Sequence, residues 1–291
     1  MSAENQGNPS PSKKILESSP LSGIAVPIAI VLIGGLIIFG VTKMLSSGKD
    51  HRDLIDEMNS KTFGNRWVAA YELSKFLAGS KIPKEDMPWV IENLSRVYFE
   101  SVDGRTRNFV VLALGSLKNP LSIKVLSKAL EDQDPQVKFN AVVSIGNLEN
   151  TEGVDWSKIE AMLLQDQDAG LKQVALFALA SQKRTNTVEL ALPLLTSSDK
   201  TLRYAAANVL IYYKKSEALP VLEEIAALKY DSKSPEYLNG AQVEGLKTNL
   251  LENIEKSEWK ELLPLVSKME SSDGNIRVQT KAKQVLKLLK N

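Results

Sequence analysis

The sequence predicts an all-α protein, an α-solenoid of about seven helical hairpins that follows one N-terminal transmembrane helix. Two observations lead to this prediction. A strongly apolar segment without charges lies near the amino terminus, and a short string recurs along the rest of the chain. Its clearest copies are DPQVKFNAVVSIGNL from residue 134, DAGLKQVALFALA from residue 168 and DKTLRYAAANVL from residue 199.

The first 61 residues divide into three segments. Residues 1–22 are rich in Ser, Pro, Asn and Gly without apolar periodicity, which predicts a disordered tail. Residues 23–42 lie in a run of 25 uncharged residues between Glu17 and Lys43. At ~1.5 Å per residue a helix of this length crosses a ~30 Å hydrocarbon core, and it exceeds the ~7 to 15 apolar residues of a signal peptide. We therefore predict a transmembrane helix at 23–42 and a charged juxtamembrane linker at 43–61.

Flanking cations predict the orientation of that helix. Lys and Arg are enriched on the cytoplasmic side of membrane helices. Two precede the span and four follow it, namely Lys13 and Lys14 against Lys43, Lys49, Arg52 and Lys61. This excess predicts a single-pass protein of the cell membrane with its solenoid on the cytoplasmic side. The alternative is that the short amino tail stays inside and the rest of the chain is exported.

Residues 62–291 consist of repeated units. Counting from the first residue of the string as position zero, an aliphatic residue tends to stand at +3, Lys or Arg at +4, a small residue at +7 and Leu or Ile at +11. Positions 3, 7 and 11 form one stripe of a helix, and Asp at zero is a favoured N-cap. A second helix precedes each motif, as in PWVIENLSRVYF and PLSIKVLSKAL, so the units predict stacked hairpins. The predicted starts are Thr62, Asp103, Asp134, Asp168, Asp199, Gly240 and Asp273.

The pattern D-x-x-[VLI]-[KR]-x-x-A-x-x-x-[LI] resembles the HEAT repeat, in the short variety called phycobilisome-lyase HEAT-like. The match is poorer at Gly240, where Glu244 and Lys247 replace the basic and small residues, and at Asp273, where Thr280 replaces Ala. In this family a further Asp often stands six places before the basic residue, as Asp132 and Asp166 do here. The resemblance implies a scaffold that binds macromolecules, usually proteins, along its concave face. It does not imply lyase chemistry.

Positions +5 and +9 point away from the packed stripe, yet they carry aromatic and amide side chains. One interpretation is a continuous concave strip that contacts a partner protein. The other is that strong curvature buries these side chains between repeats. The predicted strip comprises Trp67, Tyr71, Asn108, Phe139, Phe177, Tyr204 and Asn208.

The basic residues at +4 also allow two interpretations. They could form a stripe for phosphate or acidic peptides, or a ladder that pairs within the solenoid with Asp132, Asp166 and loop carbonyls. We prefer the ladder, since surface ion pairs of this kind are common.

Composition narrows the function. The net charge of +1 disfavours nucleic-acid binding. The absence of Cys excludes thiol chemistry and Cys-based zinc sites. Because His51 is the single His and precedes the repeats, a histidine-rich metal site or a Ser/His/Asp triad inside the repeat region is excluded too. We therefore predict no catalytic residues, cofactor, metal site or small-molecule substrate, and we do not expect an enzyme. The sequence favours a membrane-anchored scaffold or adaptor that binds a protein partner. The alternatives are a structural subunit of a larger membrane complex and, less favoured, a HEAT-like enzyme acting on nucleic acid.

Overall fold

A computed structural model of the protein describes residues 49–60, 66–79, 82–230 and 239–290. The predicted tail at 1–22 and the predicted transmembrane helix at 23–42 lie outside these residues. Within the described ranges, every helix is too short or too polar to span a bilayer. The chain forms two units, Met1–Asp53 and Leu54–Asn291, and the solenoid belongs to the second.

The described residues form helices and connecting segments and contain no strand, which confirms the all-α prediction. Four of the helices are extended by short 3-10 turns, at Pro120–Ser122, Leu192–Thr196, Ser216–Ala218 and Lys260–Leu262. The helices are α1 (His51–Asn59), α2 (Arg66–Gly79), α3 (Met87–Glu100), α4 (Gly104–Ser116), α5 (Ile123–Ala129), α6 (Pro135–Gly146), α7 (Trp156–Gln165), α8 (Ala169–Ser181), α9 (Thr187–Ala191), α10 (Lys200–Tyr212), α11 (Leu219–Ala226), α12 (Gly240–Ser257), α13 (Leu263–Ser272) and α14 (Ile276–Lys290).

The even-numbered helices α2 to α14 contain the repeated string, and we call them the motif helices. Each packs against the next motif helix along the chain, and from α4 onward each also packs against the flanking helix or 3-10 turn before it. Contacts between successive flanking helices are fewer. The motif helices therefore form the more closely packed of two helical layers, which confirms the solenoid. The expectation that they line its concave face stays a prediction.

Helical structure extends into the segment that the sequence assigned to the linker. Helix α1 lies within residues 43–61, and its Leu54, Ile55 and Met58 are buried in the hydrophobic core. Leu54 and Ile55 stand four and three residues before Met58, and residues at these spacings are neighbours on a helix surface, so α1 presents an apolar face to the core.

Four of the predicted Asp residues cap their motif helices. The side chains of these residues accept hydrogen bonds from backbone N–H groups of the first helical turn, and Asp199 accepts two, from Thr201 at 2.7 Å and from Leu202 at 3.2 Å. These bonds satisfy donors that have no partner within the helix, so each motif helix begins at its Asp. The four caps are Asp103, Asp134, Asp168 and Asp199.

The caps of the last two motif helices differ from the prediction. Asn239, not Gly240, caps α12 in a capping box with Gln242. In α14 the backbone N–H of Arg277 donates to Asn275, two residues after the predicted start. The repeat register therefore shifts by two: Ile276, predicted to face inward, is 72% exposed, whereas Val278 is fully buried.

A carboxylate two residues before the cap joins neighbouring repeats, with Asp132 as the clearest case. One oxygen accepts from the N–H of Asp134 and from Arg107, and the other accepts from Arg107 and from the hydroxyl of Tyr98, each at 2.8 to 2.9 Å. Arg107 also donates to the carbonyl oxygens of Ser101 and Val102. We call this Tyr–cation–carboxylate group a clamp. It confirms the ladder interpretation at Arg107, but the Asp lies in the next repeat.

Two further clamps lie in the carboxyl-terminal repeats. Asp273 accepts from the N–H of Asn275 at 2.9 Å, from Lys247 at 2.6 Å and from the hydroxyl of Tyr230 at 2.6 Å. The other consists of Arg203, Tyr204 and Glu224. Lys247, which looked like a departure from the repeat, is thus the cation of a buried ion pair.

Removing one member of a buried clamp should strongly destabilise the solenoid. In the Arg107–Asp132 pair the side chains are only 9% and 4% exposed. We expect Asp132→Ala to cost about 3 to 5 kcal/mol, because it leaves a buried guanidinium without its counter-charge. Urea unfolding followed by circular dichroism measures the loss. Lys128→Ala, which breaks the exposed pair with Glu131, is the control and should cost at most about 1 kcal/mol. Equal losses of unfolding free energy in the two variants would show that the buried clamp stabilises the solenoid no more than an exposed ion pair does.

Candidate functional site: a groove along helix α10

The seven residues of the predicted strip occupy different environments. Tyr71 and Phe177 are each 40% exposed. Trp67, Asn108 and Phe139 are half-buried, whereas Tyr204 and Asn208 are only 4% and 6% exposed. The expectation that every strip side chain points away from the core is therefore wrong for Tyr204 and Asn208. Whether the strip residues bind a partner stays a prediction.

Near the amino end of the solenoid, side chains of the following motif helix contact the strip. The guanidinium of Arg105 lies over the ring of Trp67, 5.1 Å from its centroid. The ring of Tyr71 meets the ring of Phe109 edge-on, with centroids 5.2 Å apart. These aromatic side chains mainly join α2 to α4.

The two asparagines of the strip bond to asparagines of the next motif helix. Asn108 accepts a hydrogen bond from the side chain of Asn140. Asn208 accepts one from Asn253 at 2.8 Å, and its own amide donates to the carbonyl oxygen of Tyr204. Sequence reasoning missed Asn140 and Asn253, because the offset rule followed one helix at a time. These amides therefore bridge adjacent repeats.

Tyr204 is held in a clamp. Its hydroxyl donates to Glu224 at 2.8 Å, and Arg203 donates to both oxygens of the same carboxylate. Burial, helped by the bond to Glu224, raises the pKa of Tyr204 to about 12. Hydrogen bonds from Arg203 hold the pKa of Glu224 below its usual value. Glu224 therefore stays ionised and paired, and it adds little net negative charge to the surface beside it.

A groove runs along α10 between α8 and α12. It consists of two adjoining cavities of about 830 and 670 Å³ that share Phe177, Asn208 and Asn249. The larger cavity reaches Lys200 at the start of α10, and the smaller one reaches Tyr212 at its end. Tyr204 and Asn208 lie in the floor. We call this the α10 groove, and it brings together three of the seven predicted residues.

Several residues of the α10 groove escaped the sequence prediction. Asn249 stands nine places after Gly240, so the offset rule could have identified it. Lys183 lies just beyond the end of α8 and Lys256 near the end of α12, outside the offsets considered. Nothing in the repeat pattern indicated that these two amines lie on one rim.

The groove has the chemistry of a binding site. Apolar side chains, amides, a hydroxyl and lysine amines line it. Among the residues that the structure describes, no three or more His, Cys, Asp or Glu side chains lie close enough to hold a metal ion. The arrangement can bury apolar groups and pair with anions.

The HEAT repeat family matches residues 157–233, which include α8 to α11 and all of α7 except its first residue. One similar solved structure is the complex of CpcE and CpcF of phycocyanin lyase from Nostoc sp. PCC7120. It has a TM-score of 0.55 and 17% identity over 83% of this chain and 96% of that one.

A second similar structure is YibA of Escherichia coli. It has a TM-score of 0.52 and 16% identity over 98% of this chain and 99% of that one. No curated protein matches the chain. At these identities the likenesses show the fold alone, a helical-repeat solenoid.

Tyr204 and Phe177 should respond differently to truncation, although both belong to the predicted strip. Tyr204→Ala removes a buried ring and a donor to Glu224, so we expect it to cost about 3 to 5 kcal/mol. Phe177→Ala removes a ring that is 40% exposed and should cost no more than about 1 kcal/mol. Thermal and urea unfolding of both variants measure the difference. A stable Tyr204→Ala protein would mean that this ring does not hold the repeats together.

Proposed function

We propose that this protein is a single-pass membrane-anchored HEAT-repeat scaffold or adaptor that binds a protein partner through the concave face of its solenoid. The α10 groove is the observation that carries the proposal. It lies on the motif-helix side, and its wall includes the exposed ring of Phe177. Exposed aromatic side chains beside a depression are typical of protein-binding surfaces.

The similar structures support the scaffold proposal at the level of the fold. CpcE and CpcF were solved as a complex with each other, so a solenoid of this kind can present a surface to another protein. The fold alone does not identify a function, and the proposal therefore rests on the groove of this chain.

The membrane anchor is proposed from residues 23–42. Their apolar length fits a bilayer, and the excess of Lys and Arg after them favours a cytoplasmic solenoid. A tether of this kind would hold the groove close to the membrane surface, where a partner is organised or captured.

Membrane attachment can be tested by extraction. We expect the full chain to remain in the membrane pellet after an alkaline carbonate wash. Leu32→Arg with Ile33→Arg should release it, because each Arg at the centre of a span costs roughly 2.5 to 3.5 kcal/mol of insertion. Protease added outside intact spheroplasts should leave the solenoid uncut. Release of the unaltered chain by carbonate would contradict the anchor, and digestion of the solenoid would reverse its side.

Site-specific photocrosslinking can test the concave face. A photoreactive residue in place of Phe177, on a motif helix, should crosslink to a protein partner in the native membrane. The same residue in place of Leu164, which is 61% exposed on flanking helix α7, is the matched control. Mass spectrometry identifies the product. Crosslinks from both positions would favour a structural subunit that is enclosed in a larger complex, and crosslinks from Leu164 alone would contradict binding by the concave face.

A further inference from the structure

We propose that the α10 groove accepts an acidic polypeptide segment, with carboxylates at both ends and an apolar side chain between them. This inference rests on the proposed function, since it assigns the chemistry of the partner segment. It goes further, because it specifies which part of the concave face binds and what that part selects.

The charges on the rim of the groove are the first argument. Lys229 lines the larger cavity, and Lys183 and Lys256 line the smaller one. Glu224 is the sole carboxylate that lines either cavity among the described residues, and Arg203 pairs with it at 2.8 Å. The rim is therefore positive at both ends of the groove, although the whole chain is nearly neutral.

The middle of the groove is the second argument. Phe177 stands where the two cavities meet, and Val209 and Leu246 line the cavities on either side of it. Ala205 in the floor, with its small side chain, allows a close approach. A segment with an aliphatic or aromatic residue at its centre would bury that residue here, while its ends would meet the lysines.

The length of the groove limits the size of the occupant. Helix α10 has 13 residues, which at ~1.5 Å per residue span roughly 20 Å. An extended chain covers that distance with about six residues at ~3.3 Å each, and a helix with about 13. Asn249 and Tyr212 lie on the wall, where they can hydrogen-bond to backbone or side-chain groups of the segment.

The same chemistry argues for a polypeptide over a nucleic acid. Single-stranded nucleic acid needs a continuous basic groove that follows its phosphates and several rings on which successive bases stack. Here the lysines are grouped at the two ends, and two exposed rings line the groove, Phe177 at the centre and Tyr212 at one end. A segment with acidic side chains at its ends and an apolar side chain between them fits this spacing.

The proposal can be tested by selecting peptides on the protein itself. The full chain in detergent micelles is immobilised and panned against a random peptide display library with about 13 variable positions. We expect the enriched peptides to carry Asp or Glu near both ends and a large apolar residue between them. A labelled representative should bind more weakly as salt rises, because screening weakens exposed charge pairs.

Variants of the chain locate the site. We expect Lys183→Glu with Lys256→Glu, and separately Phe177→Ala, to weaken binding of the labelled peptide by at least about tenfold. The matched controls are Lys283→Glu with Lys287→Glu on the exposed face of α14, and Phe99→Ala, a ring 55% exposed on flanking helix α3. These should leave the affinity unchanged. Circular dichroism confirms that each variant keeps its helices.

Each other outcome contradicts the inference in a distinct way. Enrichment of neutral or basic peptides whose binding requires Phe177 would contradict the proposed preference for acidic segments. It would remain consistent with a scaffold that binds partners through its concave face. No enrichment, or peptides indifferent to the groove variants, would overturn the groove as an autonomous binding site, and crosslinking at Phe177 then decides whether the scaffold proposal survives. Tight binding of a labelled oligouridine that the lysine variants abolish would favour nucleic acid.

Discussion

Close contact between successive motif helices is the constraint on which the rest of this structure depends. A single hairpin cannot bury its apolar face alone, so the core is formed between neighbours. At Gly115 an added Cβ would lie 2.6 Å from the Cβ of Ser144, and at Gly146 it would lie 3.0 Å from the Cα of Ala178. Only glycine permits helices to approach this closely. The close packing of this layer buries side chains of the motif helices between neighbouring repeats.

Electrostatics then fix neighbouring repeats in register. Burial alone would raise the pKa of Asp132, but hydrogen bonds from Arg107, from the N–H of Asp134 and from Tyr98 outweigh burial and hold that pKa below its usual value. Burial likewise raises the pKa of Tyr98, so this phenol stays protonated and continues to donate. An ionised carboxylate with donors from its own cap and from the preceding repeat therefore specifies one arrangement of the two hairpins.

The central repeats lack a clamp at the corresponding positions. Lys138 and Asp166 occupy the positions that correspond to Arg107 and Asp132, and Asp166 does accept the N–H of its cap residue. The structure shows no ion pair between them among the described residues. Lysine has a single ammonium on a flexible stem, whereas arginine offers a planar fork of donors that suits a carboxylate. The middle of the stack relies on apolar contact, on small residues at the helix crossings, and on hydrogen bonds from Ser181 and Gln182 to backbone carbonyl oxygens of the preceding repeat.

The sequence predicted the solenoid, the alternation of two helices and four of the caps, because periodicity and capping are local properties of the chain. It assigned Asp132 to a cation of its own repeat, since a repeat pattern records spacing along one helix and not which neighbour lies opposite. The register of α14 was off by two because Asp273 and Asn275 are both good caps. The contact that decides between them is the ion pair with Lys247, 26 residues earlier.

The burial of Tyr204 and Asn208 shows why the candidate site could be foreseen only in part. Helical offsets placed them away from the packed stripe, and both line the α10 groove, but their depth depends on how neighbouring repeats pack. Bonds to Glu224 and Asn253 draw both side chains into the floor of the groove, and α10 is recessed between α8 and α12. At the amino end the corresponding rings, Trp67 and Tyr71, contact Arg105 and Phe109 of the next motif helix. Tyr204 and Asn208, which the sequence predicted as partner contacts, thus form the floor of the groove. The contact that we propose falls instead to Phe177 and to lysines that the repeat pattern did not mark.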